Sequence, residues 1–145
     1  MLLLTQRLSD NPELKTLFAL SLTAEERTRS RHRFRSDEGE PLELQLPRGT
    51  VLRDGDLLCA ASGDVWVRVN AKPEPVLTVT ATTPLALLKA AYHLGNRHVP
   101  LEVAPAYLRL SPDSVLEQLL EKLGVTVVAE VVPFQPELGA YSHSH

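Results

Sequence analysis

The stretch Ala71-Lys72-Pro73-Glu74-Pro75 constrains this chain more than any other. Two prolines within three residues stiffen the backbone and deny it two ladder donors, so the segment reads as a boundary between independently patterned halves. A chain of 145 residues is long enough for one ordinary domain or for two small ones with thin cores. Its 43% apolar and 23% charged content is that of a globular protein, so both halves are expected to fold. The expectation is a domain over 1–72, a second over 73–133 and a flexible, histidine-bearing tail over 134–145.

Short apolar runs between turn residues fill the first half. Leu2 to Leu8 ends at Asp10-Asn11-Pro12, and Leu14, Thr16, Phe18, Leu20 and Leu22 alternate at period two, which predicts a half-buried strand. Thr23 and Glu26 have capping-box spacing. Arg27, Arg29, Arg31, Arg33 and Arg35 then occupy every second position, which in a strand places all five on one face. Acidic residues follow at Asp37, Glu38, Glu40 and Glu43, so a solvated, partly paired face is expected rather than a phosphate track. Further strand-like runs over Leu42 to Leu46, Asp56 to Ala61 and Val65 to Val69, with turns at Asp54-Gly55 and Ser62-Gly63, complete a small all-β domain. Cys59 lies in an apolar run and reads as a buried core thiol.

The second half has longer elements. Val76 to Thr80 predicts a strand, and Thr83-Pro84 an N-cap followed by proline at the first helical position. That helix is expected to run to about Leu94 and to stop at Gly95 in a left-handed cap. Val99 to Val103 and Ala106 to Leu110 predict strands, Ser111-Pro112 a second helix start, and Val115, Leu116, Leu119, Leu120 and Leu123 an apolar helical stripe. Val125 to Val132 predicts the last strand. The order βαββαβ is that of a ferredoxin-like domain, which makes the whole an α+β chain: a small all-β domain followed by a ferredoxin-like one.

Chemistry concentrates at Ala91-Tyr92-His93-Leu94-Gly95-Asn96-Arg97-His98, where two histidines flank the helix end. Neutral imidazole is the commonest protein ligand of first-row transition metals, although a helix-end histidine also serves as a cap or a surface residue. His143 and His145, two apart near the C-terminus, could reach one ion together or form an ordinary polar terminus or a tag remnant. A net charge of −3 argues against general affinity for nucleic acid or anionic membranes. The Leu2-Leu3-Leu4 run is too short for a signal or spanning segment, so a cytoplasmic chain is expected.

Taken together, Tyr92-His93-Leu94-Gly95-Asn96-Arg97-His98-Val99-Pro100-Leu101, the Asp113-Ser114-Val115-Leu116 helix start and Phe134-Gln135-Pro136-Glu137-Leu138-Gly139-Ala140-Tyr141 with its histidine tail resemble the UreE family of nickel metallochaperones. Arg48 to Leu58 and Glu74 to Val79 resemble that family as well, so the likeness covers almost the whole chain. The resemblance implies an N-terminal β domain similar to a chaperone peptide-binding domain, a ferredoxin-like metal-binding domain and a homodimer. It implies that His98 from both subunits holds Ni(II) at the dimer interface, with His143 and His145 as further ligands, and that His93 orients the loop or caps the helix. Zn(II) and Cu(II) are expected to bind in vitro, since imidazole sites have no intrinsic preference for nickel. The implied partners are a urease accessory GTPase and the urease apoprotein complex. Some family members carry extra histidines just before the second helix. This chain reads Leu110-Ser111-Pro112-Asp113-Ser114 there, so few ions are expected, chiefly one at the interface.

Two other functions compete. Arg97 with Asn96 could hold an anion in a small ferredoxin-like hydrolase acting on acyl phosphates, although a nucleophile with an adjacent base is missing. A metal-independent protein-interaction module with incidental histidines is the other.

Overall fold

A computed structural model describes residues 1–138. The chain forms two compact units that divide between Lys72 and Pro73. In the first, strands β1 (Leu2–Leu8), β2 (Phe18–Leu22), β3 (Arg31–Arg35), β4 (Pro41–Gln45), β5 (Leu57–Ala60) and β6 (Trp66–Ala71) form one sheet in the order β2-β6-β5-β1-β4-β3. Pairing is mixed: β1 runs parallel to β4 and β2 parallel to β6, while the other neighbours are antiparallel. The period-two pattern decides which face is buried. Leu42 and Leu44 of β4, Val67 and Val69 of β6, and Leu20 and Leu22 of β2 all enter one core with Leu4 and Leu58. Cys59 is a free, buried thiol, as its apolar surroundings suggest.

Local chemistry shifts several expected boundaries. The strand predicted from Leu14 begins only at Phe18, because Leu14 donates its amide to the Asn11 carbonyl at 3.1 Å and closes a turn. Thr23 and Glu26 do form the reciprocal capping box, at 2.9 and 3.3 Å, but the turn it starts is a single 3₁₀ turn over Glu26–Thr28. That turn breaks the arginine comb. Arg27 is buried with Nη1 on the Leu22 carbonyl at 2.8 Å, and Arg29 folds back onto Glu25. Only Arg31, Arg33 and Arg35 lie in β3.

The second unit contains β7 (Pro73–Thr80), α1 (Pro84–Asn96), β8 (Glu102–Val103), β9 (Leu108–Leu110), α2 (Ser114–Lys122) and β10 (Thr126–Pro133). Its sheet is fully antiparallel in the order β10-β7-β9-β8. Pro73 and Pro75 sit at the boundary and also begin β7, which starts three residues before the Val76 expected from the sequence. They are tolerated because there β7 pairs with β10 alone, whereas β9 joins only from Leu77. Leu77, Val79, Leu108 and Leu110 of the sheet meet Ala90 and Leu94 of α1 and Leu120 of α2 in a single core, so both helices cover the same face. No helix among the described residues is long and apolar enough to cross a membrane.

Asp113, rather than the Ser111-Pro112 pair, caps α2. Its carboxylate accepts the amides of Val115 and Leu116 at 2.9 and 3.0 Å, satisfying two of the donors that a helix start leaves open. Asp113→Ala should lower stability by about 1 kcal/mol in thermal or urea unfolding, while Ser111→Ala should leave it nearly unchanged.

Candidate metal-binding site at the end of α1

The helix start is built as its sequence suggests, with Thr83 accepting the Ala86 amide at 3.2 Å and Pro84 at the first helical position. Its end is not. Gly95 is helical, and α1 continues to Asn96. The left-handed residue that stops it is His98, whose φ of 55° is the one positive value among the described non-glycine residues. His98 donates its amide to the Gly95 carbonyl at 3.0 Å, and Val99 donates to the Leu94 carbonyl at 3.3 Å. These two bonds are the paired closure of a Schellman motif.

The second helix supplies an internal comparison. At its end Gly124, with φ 80°, donates to Glu121 at 3.0 Å, and Val125 donates to Leu120 at 3.4 Å. The two closures are alike bond for bond, yet one places glycine at the left-handed position and the other histidine. A side chain there crowds the following carbonyl and costs about 1 kcal/mol, which glycine avoids. The tight cap therefore holds a conformationally expensive residue in place, its backbone fixed by Leu94 and Val99, both packed in the core.

His98 is exposed, and its ring forms no hydrogen bond among the described residues. Arg97 donates Nη1 to the His93 carbonyl at 3.0 Å, closing another open carbonyl of the helix end. That gives the arginine a structural task at the helix end. His93 is half-buried, with its ring edge-on to Tyr92 at a centroid distance of 5.4 Å. It is the His93 carbonyl, not the imidazole, that takes part in the cap. His98 and His93 are thus distinct, although the sequence presents them as a pair.

No three His, Cys, Asp or Glu side chains come together to hold a metal among the described residues. His143 and His145 lie outside those residues. The segment leading to them is held at its root: Phe134 is 2% exposed, Gln135 donates its amide to Glu102 Oε1 at 2.7 Å, and Glu137 donates to the Leu101 carbonyl at 2.8 Å. The expected flexible tail is therefore anchored over its first four residues, at a point three residues beyond His98 in sequence.

One feature escaped the sequence reading. Leu85, Leu88 and Tyr92 are 59, 66 and 65% exposed and follow one another at i, i+3 and i+7, forming an uncovered apolar stripe along α1. The stripe points toward the helix end that carries His98. Its signal was present, since Leu87, Ala90 and Leu94 already fill a core-facing side and the additional apolar residues make the helix apolar on two faces.

These features define a two-unit α+β protein in which, among the described residues, the imidazole of His98 is unpartnered at the end of a helix with an uncovered apolar face. Family models agree on both units: residues 4–72 match the UreE urease accessory protein N-terminal domain and residues 74–145 its C-terminal domain. The chain is 57% identical over 145 residues to the urease accessory protein UreE of a Nostoc species, covering 100% of this chain and 99% of the relative. It is 61% identical over 126 residues to that of Thermosynechococcus vestitus, with 87% of each chain covered. Against that of Pseudomonas putida it is 47% identical over 148 residues, covering 100% of this chain and 90% of the relative. The chain belongs to the UreE urease accessory protein family.

If His98 is kept at a left-handed position for its ring, glycine there should be better for folding. His98→Gly should raise unfolding free energy by roughly 0.5 kcal/mol or more, whereas Gly124→Ala should lower it by about 1 kcal/mol, both read from denaturant melts.

Proposed function

We propose that this chain is a nickel metallochaperone of urease maturation, working as a homodimer that carries Ni(II) as cargo to a complex containing an accessory GTPase and the urease apoprotein. Family membership supports the role in maturation, and the observation that carries the metal reading is His98, an exposed imidazole held at a position where glycine would be cheaper. The β10-β7-β9-β8 order with both helices on one face supports the ferredoxin-like reading of the second unit.

A single imidazole cannot hold a transition metal well. A two-fold pair of chains, joined through the Leu85, Leu88 and Tyr92 stripe, would bring a second His98 to the same ion, and a dimer of this kind uses one patch twice. Two imidazoles leave coordination positions open for His143, His145 or water. The root of the segment that bears them is bound at Leu101 and Glu102, and a further seven residues would span about 24 Å if extended, a length that permits their approach to His98. Such a site is incomplete in each subunit and exposed at its edge, which suits capture and release better than permanent retention. Zn(II) and Cu(II) would bind the same imidazoles, so discrimination rests on geometry and on the receiving partner.

Nickel calorimetry combined with size-exclusion light scattering tests this directly. The expected result is a dimer that binds about one tight ion per two chains, with His98→Ala removing that ion. Truncation after Tyr141 should weaken binding without altering the stoichiometry. Several tight ions per dimer after His98→Ala would contradict the assignment. Leu88→Glu, which puts a charge into the proposed contact, should shift the protein to monomers and weaken nickel binding with it.

A further inference from the structure

Six glycines lie among the described residues, and five of them have a backbone reason to be glycine: Gly39, Gly49, Gly55, Gly63 and Gly124 adopt φ between 80 and 92°. Gly95 is the exception. It is helical, and the left-handed position of its helix end belongs to His98. A Cβ on Gly95 would meet nothing within 4 Å outside its own stretch of helix among the described residues. Alanine would therefore fit there, and alanine is the best helix former whereas glycine is the poorest apart from proline. Since no contact or backbone angle of the described residues calls for the missing side chain, its use lies outside the chain.

Gly95 is exposed and stands three residues after Tyr92 and seven after Leu88, so it continues the uncovered stripe of α1. It also stands three residues before His98. The same helix end thus holds two residues that disfavour folding: a glycine where alanine would serve better, and a histidine where glycine would. Both lie within one turn of the exposed imidazole.

We propose that Gly95 is a positioning residue for the metal site: its missing side chain leaves the clearance that lets a second copy of this chain approach closely enough for the two His98 rings to share one ion. This role rests on the proposed nickel-binding dimer, in which Gly95 sets the closest approach. Ring nitrogens bind a first-row ion at about 2 Å, so two rings on one ion bring the helix ends that carry them against each other. An ion held by a residue and its two-fold mate lies on the symmetry axis, and a residue beside the axis meets its own copy. Gly95, one turn from His98, lies near that axis, where any side chain added is added twice. The spacing of packed helices, about 8–10 Å, follows the size of the side chains at the contact. Leu85, Leu88 and Tyr92 supply apolar area to this contact, and Gly95 supplies the room.

The test compares the full chain with Gly95→Ala and Gly95→Gln, two helix formers of rising size. Folding is read from urea melts at low protein concentration, association from sedimentation equilibrium, and nickel binding from calorimetry. Gly95→Ala should raise the folding constant about threefold while weakening both the dimer and the tight nickel ion about tenfold. Gly95→Gln should fold at least as well as the native chain and lose more of both affinities. Opposite signs for folding and association are what a purely structural glycine does not give. A lower folding constant for Gly95→Ala would show that the chain itself requires glycine and would overturn the proposal. Native dimer and nickel affinities in both variants, with His98→Ala still removing the ion, would overturn it and leave the metal reading standing. Weaker nickel binding with an unchanged dimer would overturn it in favour of clearance for the ion's other ligands. If His98→Ala leaves nickel affinity unchanged, the metal reading fails, and with it the role given to Gly95.

Discussion

The hydrogen bond from Val99 to the Leu94 carbonyl, 3.3 Å long and backed by the packing of both side chains in one core, is the constraint on which the candidate site depends. It closes the end of α1 around a residue that must adopt a left-handed backbone, and it fixes the direction in which the chain leaves the helix. A histidine held by that closure is placed by main-chain geometry and not by its own side-chain contacts. The imidazole thus remains free for an outside ligand while its attachment point is rigid, a combination that a loop histidine or a core histidine does not offer.

The same closure ties the site to its surroundings. The uncovered stripe of Leu85, Leu88 and Tyr92 runs up the helix toward His98, and the C-terminal segment is anchored at Leu101 and Glu102 just beyond it. An exposed apolar stripe on a helix is unfavourable in an isolated chain, and in the proposed dimer its burial against a second copy would remove that cost while doubling the number of imidazoles present. Association and metal capture would then reinforce each other, because each completes what the other needs.

Much of this was legible in the residues, and the exceptions share a cause. Alternating apolar residues gave β2, β4 and β6, and Thr83-Pro84 gave the start of α1, because these signals are local and repeat along the chain. Gly95 misled as a helix stop. Glycine is the usual left-handed residue, and nothing in the sequence states that the closure at Leu94 and Val99 moves that conformation three residues on, to His98. Pro73 and Pro75 marked the boundary between the units but hid the start of β7, since only the register shows that the strand is paired on one side there. The arginine comb looked continuous until the capping box of Thr23 and Glu26 turned Arg27 inward. In each instance a long-range pairing or a cap outweighed a short-range pattern. The choice of His98 over His93 came from family resemblance, and the structure supplies a physical difference between them: one ring is free and exposed, the other half-buried against Tyr92.

The central claim is that the ring of His98, set at a left-handed helix cap, is the primary nickel ligand and is shared between two chains. Paramagnetic NMR of the histidine ring protons during a nickel titration tests it most directly. The account predicts that His98 broadens first and completely at about half an equivalent of nickel per chain, while His93 and His32 stay sharp. Early broadening of His93 or His32 with His98 unaffected, or loss of the His98 signal only at a full equivalent per chain, would contradict it.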